Sequence, residues 1–557
     1  MSRLLTLSPM WVPLLLLGSI VFAADGTSPA GKKSADTAAA SNASQKSGGS
    51  AKKQASKREA APAPHAPKAE PAAATAARAQ SIAPPARGER IVFIGNGLAE
   101  RDVYFGQLET EFHLRYPDRE LIVRNMGRPG DTPGFRPHPA RNSQWAFPGA
   151  EKFHPQLTTH TGEGFFPSPD QWLTHLKADT IVAFFGLNES YDGPAKVENF
   201  AAELAAFVRH TLSKAYNGTT APRLVLVSPI AFEDLSAKRD LPDGRKENSN
   251  LARYTAAMQR VAQQHGLTFV DLFTPTKTRY AEAGPSFTIN GFAPAEAGYR
   301  ELGAILANGM FGPQSRQAKA DPQVVNAAVK EKDWLWRNDY QLVNGIHSHG
   351  RRYSPDGFQN YPDEVKKTRE MMTLRDDLIH QLVNGTTGRL AVDDTKTHAL
   401  PPVPTSYRPT MKGNGNLEYL DGDAAVAAFK MAEGYKIELF ASEAQFPNLQ
   451  NPVQMSFDNQ GRLWVAAMPT YPHYRPGDPM PNDKLLIYED TDHDGRADKE
   501  IVFADGLHLP IGFELAPEGV YVSQEPNLCL LVDDNQDDKA DRMEIICLLY
   551  TSDAADE

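Results

Sequence analysis

The stretch RIVFIGNGLAERD, Arg90–Asp102, runs from an apolar strand through a tight Gly-Asn-Gly turn into a polar helix start. An apolar run without polar alternation suits a strand covered on both faces. The turn then places Gly95, Asn96 and Gly97 at that strand's carboxyl end. Outward from it the pattern returns. Near-continuous apolar runs stand at 120–125 (ELIVRN), 179–186 (DTIVAFFG), 223–229 (RLVLVSP) and 267–273 (LTFVDLF). Amphipathic segments separate them, and the last, PAEAGYRELGAILANGMF, opens on Pro294, which suits a first helical turn. Strands alternating with helices predict an α/β fold over 89–312, a flavodoxin-like parallel five-stranded sandwich. Ligands of such sheets sit at the carboxyl ends of the strands.

Four places at or near those ends carry suggestive residues: GNGLAE (95–100), NMGRPGDT (125–132), GLNES (186–190) and TINGFAPAEAGYREL (288–302). In order and spacing they resemble the SGNH, or GDSL-type, hydrolases. The resemblance implies an ester-hydrolase site. The family's nucleophilic serine would stand where this chain has Gly97. Its glycine and asparagine oxyanion donors are matched by Gly127 and Asn188, and the Asp and His of its Asp-x-x-His fall on Asn290 and Ala293. A hydroxyl nucleophile needs a neighbouring base. The resemblance therefore implies a catalytically impaired member that binds a polysaccharide or an acylated small molecule through a surviving oxyanion hole. The alternative is an active carbohydrate esterase or acyl hydrolase using non-standard residues. Ser190, His347 and His349 are the nearest substitutes by sequence, although a turn residue and a polar loop explain them as well. The long insertion at 133–169 is rich in Pro, Gly and aromatics and suits a lid; His138, His154 and His160 within it have no compact ligand spacing.

Residues 313–397 hold two segments of helical periodicity and predict a helical appendage anchored by Trp334, Leu335 and Trp336. The Pro- and Gly-rich 398–430 reads as a linker. From 431 to 546 short strands take over, beginning with YKIELFASE (435–443), with hairpin signals at Asn459-Gln460-Gly461 and Asp494-Gly495. KLLIYEDTDHDGRADKEIV and LCLLVDDNQDDKADRMEII repeat with a period of 43 residues, Asp490 against Asp533. That period suits a blade of a partial all-β propeller. Each repeat carries carboxylates on a tight loop: Asp490, Asp492, Asp494 and Asp498 in the first, Asp533, Asn535, Asp537 and Asp541 in the second. Such loops suit Ca²⁺, or stand as solvated acidic hairpins; no glutamate completes an EF-hand. The segments GYKIELFASE, NPVQMSFDNQGRLWVAAMPTY and DTDHDGRADK, behind a degenerate SGNH domain, resemble PVC-type haem-binding proteins. Their propeller is similar to that of quinone-dependent sugar dehydrogenases. Haem and quinone chemistry is thereby implied only for a longer parent.

Residues 1–23 combine Arg3, a short apolar run and small residues before a cleavage point, and so predict a secretory signal, or else an uncleaved anchor. The Ala/Ser/Lys/Pro-rich 24–88 cannot bury enough apolar surface to order itself and predicts a disordered tether. Together they place the chain in the secreted, periplasmic or cell-envelope space, with the tether able to attach to the envelope. Net charge is −11 and no basic stripe stands out, which argues against nucleic acid as a partner. Two cysteines, Cys529 and Cys547, make no disulfide framework. The last segment, CLLYTSDAADE (547–557), reads as a translated sequencing adapter.

Overall fold

The computed structural model describes residues 81–138, 140–157, 164–282, 284–341, 349, 358–386, 392–401, 420–471 and 474–548, with main chain alone at 358–360 and 547–548. The signal segment, most of the tether, His160, His347 and residues 549–557 lie outside them. Five strands form one parallel sheet: β1 Arg90–Gly95, β2 Ile122–Asn125, β3 Thr180–Phe184, β4 Arg223–Val227 and β5 Thr268–Val270. Their order is β2-β1-β3-β4-β5. Along β1 the side chains alternate between two cores. Val92 and Ile94 join one with Trp172, Phe207, Tyr254 and Trp336, while Ile91 and Phe93 join the other with Leu108, Phe112, Tyr299 and Leu302. Both faces being covered explains why the strands read as unbroken apolar runs.

The helices that cover them are α1 Gly97–Arg101, α2 Gln107–Arg115, α3 Pro169–Leu176, α4 Leu187–Ser190, α5 Val197–Leu212, α6 Arg245–His265, α7 Phe273–Arg279 and α8 Glu296–Phe311. Two more follow, α9 Pro322–Tyr340 and α10 Phe358–Val383, and they are built into the same body. Asp321 caps α9 through Gln323 N–H, with Pro322 in the first turn. From α9, Lys332 is fully buried against Glu109, and Trp336 Nε1 donates to Asn125 O (2.6 Å). From α10, Asp376 accepts both Arg124 guanidinium nitrogens (3.0 and 2.6 Å) beside the β2 edge. All three expected anchors meet the core, Leu335 and Trp336 buried in it and Trp334 half-buried against it, and the Trp334 ring also meets Tyr474 with centroids 4.6 Å apart. Among the described residues no helix is long and apolar enough to cross a membrane.

A short helix, α11 Gly422–Ala428, interrupts the expected linker. Beyond it lie two four-stranded antiparallel sheets: β6 Pro452–Phe457, β7 Leu463–Ala467, β8 Asp483–Glu489 and β9 Lys499–Leu507, then β10 Gly512–Ala516, β11 Gly519–Gln524, β12 Asn527–Val532 and β13 Arg542–Leu548. Trp464, Leu485, Ile487 and Phe503 of the first share one core with Phe513, Val522 and Leu531 of the second. The run 435–443 is not a strand, contrary to expectation. Phe440 and Ala441 instead lie across the other face of the first sheet, and Phe440 O accepts from Ala497 N–H (2.8 Å). Apolar content was legible there, but the partner it packs on was not.

Candidate functional site

The loops after β1, β2 and β3 and the loop before α8 are linked at the strand tips. Gly95 has φ +121°, and a Cβ there would meet Phe184 O at 2.0 Å, so only glycine fits this crossing. Asn96 caps α1 by accepting Leu98 N–H (3.1 Å), which makes Gly97 the first residue of that helix. Arg128 N–H donates to Gly95 O (2.8 Å), joining the second loop to the first. Asn188 Nδ2 donates to Pro129 O (2.7 Å) and Asp131 O (3.0 Å), joining the third to the second. Arg101 Nε donates to Pro294 O (3.0 Å), and Tyr299 Oη to Leu98 O (2.8 Å), joining the fourth to α1.

The sequence-matched donors have partners within the protein. Both Asn188 amide hydrogens go to carbonyls of the second loop. Gly127 N–H goes to Asn125 Oδ1 (2.9 Å), whose own amide donates to Ala99 O (2.7 Å). An oxyanion hole needs donors aimed at empty space where charge will develop. Pro129 borders the Gly97 position: its Cα and Cβ would lie 3.8 Å from a Cβ there, an ordinary contact. The expectation of an open oxyanion hole is thus not met in this conformation, because contacts made by Pro129, Asp131 and Asn125 engage the donors. Asn290 closes a turn by accepting Phe292 N–H (3.3 Å) and Ala293 N–H (2.9 Å), and Ala293 brings no imidazole. Ser190 is buried, with Oγ donating to Leu187 O (2.6 Å).

Histidines of the insertion are engaged separately. His138 stacks on Phe166 (3.7 Å, 8°), and burial beside Arg128 and Arg141 holds its pKa well below the ordinary imidazole value. His154 Nε2 bonds Glu203 Oε1 (2.8 Å), a hydrogen bond that raises its pKa. His349 bonds Tyr361 Oη (3.0 Å), and burial lowers its pKa to about 4.

Three carboxyls at these tips are buried, which the sequence did not show, although Asp131 reads there as a residue that fixes its loop. Glu100, Asp131 and Glu189 each keep one oxygen buried without a hydrogen-bond partner. Burial pushes them up to about 7, about 6 and about 8 respectively. For Asp131 the guanidinium groups of Arg136, Arg128 and Arg141 act in the opposite direction. Acidic residues beside glycine-rich turns were visible in the sequence, but their burial is a tertiary property.

The Asp-rich repeats join the third and fourth strands of each sheet, at equivalent hairpins. Asp490, Asp492 and Asp494 each bring a carboxylate oxygen within 4.8 Å of the others. Asp490 accepts Asp494 and Gly495 N–H, while Asp498 accepts Thr491 N–H and Oγ1–H. In the second loop Asp533 accepts Gln536, Asp537 and Asp538 N–H, and Asp541 accepts Asp534 N–H and the Asn535 amide. Asp538, at φ +64°, replaces the glycine of the first loop and turns to Arg462 (2.8 Å). In both loops these carboxylates hold their own backbone, and the first differs in gathering three of them into one cluster.

The sequence matches the GDSL-like Lipase/Acylhydrolase family over residues 93–301, and DUF7133, a domain of unknown function, over 422–554. No curated protein matches. Among solved structures it is similar to a gut microbial diltiazem-metabolizing enzyme at 16% identity and TM-score 0.30, covering 42% of this chain and 48% of that one. The chain thus spans about half of that enzyme. It is also similar to an alpha/beta hydrolase enzyme from the metagenome of Lake Arreo, Spain (18%, TM-score 0.28, covering 40% and 95%). A third is an acetylxylan esterase from Geobacillus stearothermophilus (14%, TM-score 0.28, covering 40% and 94%). The parallel five-stranded sheet fits an SGNH hydrolase fold. Residues 93–301 are a GDSL-like lipase/acylhydrolase domain, and a DUF7133 domain follows it.

Proposed function

We propose that the GDSL-like domain is catalytically impaired and serves as a binding module for a carbohydrate or an acylated small molecule. The observation that supports the impairment is the state of the strand tips. Gly97 and Ala293 offer neither nucleophile nor base, and the Asn188 and Gly127 donors are held by the protein's own oxygens. Loss of a whole triad costs roughly a millionfold in rate, so any residual turnover would be a trace. The two antiparallel sheets support a wider reading, in which they open a propeller of a longer, exported parent that carries haem or quinone chemistry. The leader and tether would then deliver it to the cell envelope.

The second reading is an active ester hydrolase with non-standard residues. Its candidate base is Asp131, a strand-tip carboxyl that burial pushes up to about 6, lying buried with Arg136 3.7 Å away. The full chain assayed with p-nitrophenyl acetate separates the two. The binding reading expects turnover at the buffer level in the wild type and in Asn188→Ala, with retention on immobilised polysaccharide or an acylated ligand. Turnover abolished by Asn188→Ala would establish the hydrolase and end the binding reading.

A further inference from the structure

Arg90 and Arg124 stand diagonally on adjacent strands, since Arg90 pairs with Ile122 and Val92 with Arg124 in the β1–β2 register. Side chains alternate along a strand, which puts both arginines on the face that carries Val92 and packs under Trp336 and Met372. A sheet face covered by helices is ordinarily apolar, so each arginine there needs a reason. A cavity of about 210 Å³ lies over them, walled also by His175, Trp336, Arg369 and Met372. A cavity of about 150 Å³ already admits a benzene ring. This one lies toward the amino-terminal ends of β1 and β2, away from the strand-tip loops.

Two of the three guanidiniums at the cavity have carboxylates of their own. Arg124 gives two hydrogen bonds to Asp376 (3.0 and 2.6 Å), and Arg369 gives two to Asp339 (2.7 and 3.0 Å). Arg90 donates its backbone N–H to Asp179 Oδ2 (2.9 Å), and none of the described residues takes its guanidinium. Three guanidiniums against two carboxylates leave one positive charge. Loss of water around its ring, with Arg369 close by, lowers the His175 pKa, so at about pH 8 the imidazole adds no charge. One negative charge neutralises the surplus, whereas a dianion would leave a charge uncompensated. The planar guanidinium fork matches a carboxylate through two parallel hydrogen bonds. Val92, Trp336 and Met372 offer apolar surface to the body behind that carboxylate.

We propose that this cavity binds a small monocarboxylate with a compact apolar body, its carboxylate on Arg90 and its body against Trp336 and Met372. The assignment stands whether or not the strand tips turn over an ester. The test is calorimetric titration of the full chain at about pH 8 with benzoate, beside its neutral isostere benzamide and inorganic phosphate. Benzoate is expected to fill one saturable site, and benzamide to bind at least about tenfold more weakly for want of the charge. Arg90→Gln weakens benzoate about tenfold at an unchanged melting temperature of the ligand-free chain, because no side-chain bond within the protein is lost. Arg90→Lys keeps the charge without the fork and recovers part of that loss. No saturable benzoate binding by the wild type, equal affinity for benzamide, tighter binding of phosphate, or benzoate affinity unchanged in Arg90→Gln would each overturn the assignment.

Discussion

A Cβ built on Gly127 would lie 2.5 Å from the Glu100 amide nitrogen and 2.9 Å from the Ala99 side chain, whereas at Gly97 the nearest atoms are 3.8 Å away. Gly127 is thus required by the close approach of the second loop to α1, a reason independent of catalysis. Gly97 meets no such demand, and a hydroxymethyl group fits there. Gly97→Ser is expected to fold with stability within about 0.5 kcal/mol of the parent and still to leave p-nitrophenyl acetate turnover at background, since Ala293 supplies no base. Gly127→Ala is expected to lose about 3 kcal/mol in urea denaturation, because the overlap is with backbone rather than a flexible tip. A similar argument bears on Asn188. Its two loop hydrogen bonds make Asn188→Ala a stability change of about 1–3 kcal/mol, read by the same denaturation series. At this scale the sequence made the positions legible and left their contacts hidden. Block spacing singled out Gly97, Gly127, Asn188, Asn290 and Ala293 as expectations, but nothing in the spacing says that Pro129 O and Asp131 O take the Asn188 amide.

Elements were legible where periodicity and burial agree. The strands β1 to β4 coincide with their apolar runs to within a few residues, and β5 keeps only Thr268–Val270 of a longer run. YKIELFASE carries strand-like composition, yet it packs by side chains on a sheet face and pairs with no edge. The insertion after β2 was legible as irregular, but not its fastening. Glu203 on α5 accepts Gly134 N–H (2.9 Å) and bonds His154 (2.8 Å), clasping the insertion to the helix. The hydrogen bond to Glu203 raises the His154 pKa, with Asp192 adding to it and burial and Lys196 opposing. A group with a raised folded pKa contributes stability that is complete below its unfolded value, about 6.5, and is lost as pH climbs through the folded value. Protection factors over residues 134–154, corrected for the hydroxide-catalysed intrinsic exchange rate, are therefore expected to fall as pH rises above about 6.5, and His154→Gln to flatten that dependence. The first Asp loop gives a second element-scale expectation. If Asp490, Asp492 and Asp494 bind Ca²⁺, added Ca²⁺ raises the melting temperature and a chelator reverses it, while Asp494→Asn removes the response. A melting temperature indifferent to Ca²⁺ and chelator leaves these residues as self-capped hairpin turns.

For the whole molecule, the informative contact is Trp334. Its helix α9 belongs to the α/β body, where Lys332 and Trp336 are buried, yet its own ring meets Tyr474 edge-on at 4.6 Å and His508 at 6.2 Å, both in the C-terminal part. Other ties across this boundary include Arg475 Nη2 donating to Pro401 O (2.9 Å). Two parts with separate cores unfold together only while the contacts between them outweigh the difference in their own stabilities. Removing an edge-on aromatic pair costs about 1 kcal/mol beyond the lost apolar area. Trp334→Ala should therefore leave the α/β body folded, because Leu335, Trp336 and the Lys332–Glu109 pair are untouched, and loosen its hold on the sheets. The expected record is a calorimetric trace with a single transition in the parent and two in the variant, the lower one belonging to residues 420–548. Limited proteolysis should speed up within residues 420–548 over the same temperature range. A variant that keeps one transition, shifted as a whole, would show instead that the two parts are coupled through contacts other than this ring.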